Sequence, residues 1–215
     1  MRKLAIAALV CVLTAWGADA YAQVRYVEVV PFGGYRWGGS MNSITGIRDF
    51  DTQDTWSFGV ALDAGLAYNS AVELYYGHFT GDWDAIVTAG EGGVLSGSLS
   101  RDDIMLNGIW YATGSSSKVV RPYFTAGLGV SIYSSDNTSA TGHFAWNIGA
   151  GLRHDINNKI AIRVDGRWLP TWFTTGSSVY CNPYYYYGGC YPTSTGEFYD
   201  QFELTGGLMI KLGGV

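Results

Sequence analysis

Eight stretches of this chain alternate apolar and polar residues with a period of two, and the charges within them keep to one side of the alternation. A period of two belongs to the β-strand, whose successive side chains point to opposite faces. In the first stretch Val27, Val29, Pro31, Tyr35 and Trp37 share a face; in the second, Trp56, Phe58, Val60, Leu62 and Leu66 do. The third gives Val72, Leu74 and Tyr76, and the fourth Ile104, Leu106 and Trp110. The fifth gives Val120, Pro122, Phe124, Leu128, Val130 and Ile132, and the sixth Phe144, Trp146, Ile148 and Leu152. The seventh gives Ile160, Ile162, Val164, Trp168 and Trp172, and the eighth Phe202, Leu204, Leu208, Ile210 and Leu212. With phases set by these residues alone, Glu28, Arg36, Asp63, Glu73, Asp103, Arg121, Arg153, Arg163, Asp165, Arg167, Glu203 and Lys211 all fall on the opposite face.

Such a segregation has two readings. The apolar faces point outward into lipid, or inward into the cup of a soluble eight-stranded barrel of the lipocalin type. An Arg or Lys facing lipid at the midplane costs about 2–4 kcal/mol, so a lipid-facing surface excludes charge. The polar face is rich in Gly, Ser and Tyr, where a soluble exterior would carry many Lys and Glu. Aromatic residues (Tyr35, Trp37, Trp56, Trp110, Trp168, Trp172) gather near strand ends, as an interfacial girdle does. The connections alternate: tight at Asn69-Ser70, 115–118 and Asn157-Asn158, longer at 40–55, 82–98, 134–141 and 174–199. The sequence therefore predicts an all-β fold, an eight-stranded antiparallel transmembrane up-and-down β-barrel. Its short turns and both termini lie in the periplasm, and its longer loops are extracellular.

The N-terminus sets the route to that location. Met1-Arg2-Lys3 is basic, residues 4–15 are almost wholly apolar, and Ala20-Tyr21-Ala22 puts small residues where a signal peptidase reads. Residues 1–22 are expected to be a signal peptide cleaved between Ala22 and Gln23, with the barrel over residues 23–215. The apolar core is shorter than the ~20 residues of a membrane-spanning helix. Cys11 leaves with the signal, so Cys181 and Cys190 remain, and a pair in an exported chain reads as a disulfide. Charged residues are 14% of the chain and the net charge is −5, which argues against nucleic acid as a partner.

Several segments carry a resemblance across nearly the whole mature chain: VEVVPFGGYRWGGSM (27–41), SFGVALDAGLAYN (57–69), VRPYFTAGLGV (120–130), FAWNIGAGLRHDINNKIAIRVDGRW (144–168) and QFELTGGLMIKLG (201–213). They resemble the bacterial outer-membrane β-barrel proteins of the OmpA-like and opacity-type porin fold. The resemblance implies the cell outer membrane, contact with its lipid and lipopolysaccharide, and insertion by the barrel-assembly machinery. Barrels of this kind usually end in an aromatic residue that the machinery recognises, whereas this sequence ends Gly213-Gly214-Val215. These segments encode architecture and are nearly silent on activity.

Function has to be read from the surfaces. An eight-stranded barrel is just wide enough for side chains to fill it. Six acids and six bases on the polar face are expected to close the lumen as a salt-bridge network. Bulky Phe32, Tyr75, Phe79, Tyr111 and Tyr123 share that face. The alternative is a narrow small-solute channel. The outer connections hold ten acids against Arg48 and Arg101, an excess of eight negative charges. That excess serves solubility or divalent-cation bridging to lipopolysaccharide. Tyr184-Tyr185-Tyr186-Tyr187, between the cysteines, offers either a contact surface for an extracellular partner or a cover for the barrel mouth. His78 and Thr80 lie two apart on the lipid-facing phase and loosely resemble the outward-facing site of lipid A deacylases, which use Ser; no carboxylate is evident beside them. The expectation is a monomeric, non-enzymatic barrel without cofactor or metal, with a structural or surface-interaction role. A lipid-modifying enzyme is the remote alternative.

The disulfide closes a ring worth roughly 2.5–3 kcal/mol of chain entropy. Protein taken from the outer membrane is expected to titrate no free thiol. Reduction should raise protease sensitivity within 174–199 while the barrel keeps its heat-modifiable migration on gels. Loss of the folded barrel on reduction would place the pair in the strand framework instead.

Overall fold

The computed structural model describes residues 24–44, 47–67, 69–87, 93–112, 120–135, 138–172, 180–181, 190–191 and 198–214. The strands are β1 (Tyr26–Trp37), β2 (Ser40–Ile44), β3 (Ile47–Thr52), β4 (Thr55–Ala67), β5 (Ser70–Val87), β6 (Gly93–Tyr111), β7 (Val120–Ser135) and β8 (Thr138–Asp155). They continue with β9 (Ile160–Trp168), β10 (Thr171–Trp172), β11 (Tyr180–Cys181), β12 (Cys190–Tyr191), β13 (Phe198–Tyr199) and β14 (Phe202–Gly214). Eight of them form a closed antiparallel ring, β1-β4-β5-β6-β7-β8-β9-β14, with β14 pairing back onto β1 from Tyr26↔Gly214 to Trp37↔Phe202. The eight alternating stretches are these eight strands, except that Trp172 of the seventh lies in β10, which pairs with β8 and β13.

The phases follow the sequence. Trp56, Leu106, Phe124 and Leu128 are each more than half exposed on the outside, and Ile148, Leu152, Val164 and Leu212 are too. A soluble cup would bury these side chains, so the inward-facing reading fails and the apolar surface faces lipid. Inside, large residues are matched by glycines on the next strand: Met105 stands opposite Gly129, and Asn107 opposite Gly127. A Cβ at Gly127 would run into the Asn107 side chain, so only glycine lets both strands carry their inward residues at this level.

Turn chemistry sets the two ends apart. Asn157 accepts hydrogen bonds on its side-chain oxygen from the N–H groups of Lys159 and Ile160, both at 2.8 Å. The side chain thereby replaces the backbone partners a turn would lack. At the other end Gly38 and Gly39 adopt φ of 81° and 117°, which lets β1 break off into the β2–β3 hairpin.

The longer connections are more regular than expected. The segment 82–98 is largely an extension of the β5–β6 ladder, paired from Asp82↔Ser98 up to Val87↔Gly93. Likewise 134–141 is taken up by the ends of β7 and β8, which pair as far as Ser135↔Thr138. The segment 40–55 forms β2 and β3, and β3 joins the extended β5 from Ile47↔Val87 to Thr52↔Trp83. In sequence these segments resemble loops because the apolar–polar alternation ends at the membrane boundary. The backbone has no such reason to stop. At ~3.4 Å per residue, strands as long as β5 and β6 run about 60 Å, well beyond an apolar band about 25 Å tall.

The expected signal peptide with Ala22 and Gln23, and the Tyr184–Tyr187 cluster, lie outside the described residues. Cys181 and Cys190 are directly opposite in the β11–β12 pair.

This topology is expected to show in labelling of intact cells. Cysteines substituted at Gln53 and Asp54, beside the β3–β4 corner, should react with an impermeant reagent. Cysteines at Asn69 and Asn157 should not. Labelling of the turn positions in unbroken cells would invert the barrel.

Candidate functional site

The inward-facing charges meet in three tiers. Toward the outer mouth, Arg36 bridges Asp103 at 2.7 Å and Glu203 at 2.8 Å, and the Tyr75 hydroxyl donates to Glu203 at 2.7 Å. Arg101 joins the same carboxylate, Nε to Asp103 at 2.7 Å, and donates to Gln201 at 2.6 Å and Ser131 at 2.9 Å. In the middle, Glu73 forms an ion pair with Arg163 at 2.6 Å and accepts hydrogen bonds from Arg167 at 2.9 Å and Asn107 at 2.7 Å. Asp165 takes Arg167 at 2.5 Å and the Tyr123 hydroxyl at 2.9 Å, and Asp63 takes Arg163 at 3.2 Å. Toward the turns, Arg153 grips Glu28 in bidentate fashion at 2.6 and 2.7 Å, and Arg153 and Arg121 both reach Asp155 at 2.9 Å.

Of the twelve charges assigned to the interior, ten are buried. Arg121 is only partly covered, and Lys211 is exposed at the turn-side mouth with its Nζ 5.1 Å from the Tyr26 ring. There a cavity of about 380 Å³ opens between Arg121, Arg153, Lys159 and Lys211, with Glu28 and Asp155 in its wall.

Two members were missed. Arg101, expected in an outer loop, is fully buried in the outer tier. Asp155 completes the inner tier beside Arg153. Both lie two residues from a recognised lumen charge, Asp103 and Arg153, so extending each strand's phase by one step finds them. With both included the network still balances, seven acids against seven bases.

Aromatic rings fill what the charges leave. Phe32 stacks on Tyr75 with centroids 4.9 Å apart; Arg36 lies 4.6 Å over Phe79, and Arg167 4.6 Å over Tyr75. Phe79, Tyr111 and Tyr123 are buried as expected. The outer mouth is covered by Tyr199, which is 2% exposed and bonded to Thr52 at 2.6 Å and Gln201 at 3.2 Å.

A second polar group sits on the outside of the barrel. His78 on β5 and Asp102 on β6 are register partners, and Nδ1 of His78 is 2.7 Å from an Asp102 oxygen. The Tyr76 hydroxyl donates to that same oxygen at 2.8 Å. On the far side of the ring, Nε2 is 3.4 Å from the Thr80 hydroxyl, itself 3.1 Å from the Ser100 hydroxyl. The expectation that no carboxylate stands beside His78 is corrected here. Hydropathy alone ends the strand short of Asp102, and register between β5 and β6 is not legible when the connection length is unknown. Arg101 and Asp102 thus both leave the outer-loop tally, one inward and one to the lipid face, and the acidic excess of eight stands. Among the described residues no cluster of three or more His, Cys, Asp or Glu is arranged to hold a metal ion.

The architecture recurs in solved structures. The neisserial surface protein A barrel matches with TM-score 0.56 at 11% identity, over 86% of this chain and 97% of that one. OprG of Pseudomonas aeruginosa matches with TM-score 0.57 at 11% identity, over 91% and 100%. The outer membrane protein AlkL matches with TM-score 0.54 at 16% identity, over 92% and 95%. At these identities the likeness is one of fold alone. No curated protein matches the sequence. The family model for the outer membrane protein beta-barrel domain matches residues 7–177, most of the chain. With the closed eight-stranded ring, its lipid-facing apolar surface and its charge-filled lumen, this chain belongs to the outer membrane protein beta-barrel domain family and resides in the outer membrane.

Proposed function

We propose that the protein is a closed-lumen barrel with a structural and surface-interaction role, presenting its outer segments from a rigid, non-conducting base. The observation that carries this reading is the lumen. Arg36, Arg101, Arg163 and Arg167 are each within 2% of complete burial, and carboxylates span between strands on opposite sides of the ring. A conducting pore needs a continuous column of water, and these side chains occupy its place. Tyr199 with Thr52 and Gln201 supports closure at the outer mouth. The acidic outer connections suit contact with lipopolysaccharide through divalent cations. A Cys181–Cys190 disulfide, for which the paired register of β11 and β12 gives a suitable backbone, would stiffen the Tyr-rich segment as a contact surface for an extracellular partner.

Refolded protein in a planar bilayer is expected to show no steady conductance. Replacing Arg163, Asp165 and Arg167 together with Ala should open measurable current. Steady wild-type conductance would sink the closed-lumen reading and put a small-solute channel in its place.

The network also makes a stability prediction. Glu73→Ala removes one of the two carboxylates that Arg163 and Arg167 share in the middle tier, the other being Asp165. Removing one side of a buried pair costs about 3–5 kcal/mol, and Glu73→Gln should cost less because it keeps hydrogen-bonding capacity. Urea unfolding in detergent micelles reads the difference.

A further inference from the structure

We infer that Thr80, His78 and Asp102 form a hydrolytic site on the lipid-facing surface of β5–β6 that cleaves O-acyl esters of outer-leaflet lipids. The inference goes beyond the role proposed above and is independent of whether the lumen conducts. It rests first on order. A carboxylate oxygen, an imidazole and a hydroxyl follow one another at 2.7 and 3.4 Å, the imidazole using a different nitrogen for each. Asp102 fixes the proton on Nδ1, so Nε2 turns its lone pair toward Thr80. That is the arrangement in which an imidazole serves as a base for a hydroxyl nucleophile. The 3.4 Å gap is long for a hydrogen bond, and such contacts commonly tighten when substrate arrives. A pair serving only to hold two strands together would not need a hydroxyl on the second nitrogen.

It rests second on place. The lipid-facing phase of the strand runs Val72, Leu74, Tyr76 and then His78 and Thr80, so apolar surface ends where the polar group begins. The next strand puts Phe58 opposite His78, with ring centroids 5.6 Å apart. Trp56, packed edge-on against Tyr35 at 5.4 Å, lies two residues beyond Phe58 toward the outer end. Aromatic girdles mark the level of the headgroups. Acyl esters of membrane lipids lie where hydrocarbon meets headgroup, so this is the depth at which a lipid ester passes the barrel wall. His78 and Asp102 are each about 30% exposed in their side chains, open to such a ligand.

The chemistry balances with water alone. Thr80 Oγ1 bonds to the ester carbonyl carbon as its proton passes to Nε2 of His78. The tetrahedral oxyanion collapses, the bond to the lipid oxygen breaks, and that oxygen takes the proton from His78. Water then attacks the acyl-threonine with His78 as base, releasing the fatty acid and restoring Thr80. The Ser100 hydroxyl, 3.1 Å from Thr80 Oγ1, is the donor to the oxyanion. Asp102 acts through His78 as a positioning residue, held in turn by Tyr76.

The test is fatty-acid release by the refolded full barrel, measured by mass spectrometry, from phosphatidylethanolamine vesicles and separately from lipopolysaccharide. Release from either supports the site, and the responding arm identifies the lipid. His78→Ala and Thr80→Val should each lower release ~100-fold or more while heat-modifiable migration shows the barrel intact, and Thr80→Ser should retain activity. Asp102→Asn should lower kcat with KM unchanged and displace the pH profile, and Asp102→Glu should recover part of the loss. Wild-type release no greater than that of His78→Ala from both lipids overturns the inference. So does full activity in Thr80→Val.

Discussion

The closure of β14 onto β1 is the constraint from which the other features descend. No water inside a hydrocarbon layer satisfies a free backbone amide, so a sheet crosses a membrane only if it has no edge. Once the ring is closed, each strand has one face toward lipid and one toward a lumen too narrow to hold much water. Every polar side chain within the apolar band is then sent inward, and every inward charge has to find a partner there. The salt-bridge tiers are thus a consequence of closure. Two charges withdrawn from water are stable together only with close geometry and with their remaining hydrogen-bonding sites filled. Asn107, Ser131, Gln201, Tyr75 and Tyr123 fill many of those sites, while Arg36 Nε, Asp63 Oδ1 and two nitrogens of Arg163 are held by charge alone.

The tiers differ in a way that the overall balance hides. The outer tier pairs Arg36 and Arg101 with Asp103 and Glu203 and is neutral by itself. The middle tier sets Arg163 and Arg167 against Glu73, Asp63 and Asp165, one acid too many. The turn-side tier holds Arg121, Arg153 and Lys211 against Glu28 and Asp155, one base too many. The surplus cation belongs to the tier that opens on solvent. The surplus anion lies deeper, where two guanidinium groups surround Glu73. Charge compensation therefore runs along the barrel axis as well as across it, which ties the middle of the lumen to its turn-side mouth.

Most of the fold was legible because alternation is a strict code in a closed barrel. Phase assigned from apolar residues alone put ten lumen charges where they are buried, and it chose correctly which bulky side chains face inward. The misses share one cause. Hydropathy stops reporting at the membrane boundary, while strands continue above it as long as ladder partners remain. Arg101 looks like loop in sequence for that reason, although it lies in phase with Asp103. The extended β5–β6 hairpin and the β2–β3 hairpin look like loops in sequence for the same reason. Asp102 beside His78 was harder still, since it depends on register across two strands whose connection gives no sequence cue to its length. Composition and periodicity describe a strand's faces. They say little about which residue of the next strand stands alongside.

That distinction bears on the outer polar group. The energetic penalty that clears charge from the lipid face is steep at the midplane and falls to about 0–1 kcal/mol near the interfaces. Selection for insertion alone therefore tolerates an Asp–His pair at the girdle and offers no reason to favour one. Selection inside the lumen is different in kind, because each buried charge there stabilises or destabilises the whole barrel through its partners. The two polar systems of this protein are separated by the thickness of one strand pair, yet they answer to unrelated constraints. Tyr75, Gly77 and Phe79 face the lumen, whereas Tyr76, His78 and Thr80 alternate with them on the outside of the same strand. A substitution at His78 or Thr80 leaves the salt-bridge network intact. The outer group can consequently vary without threatening the fold, which is the condition under which a surface on a rigid barrel is free to acquire chemistry.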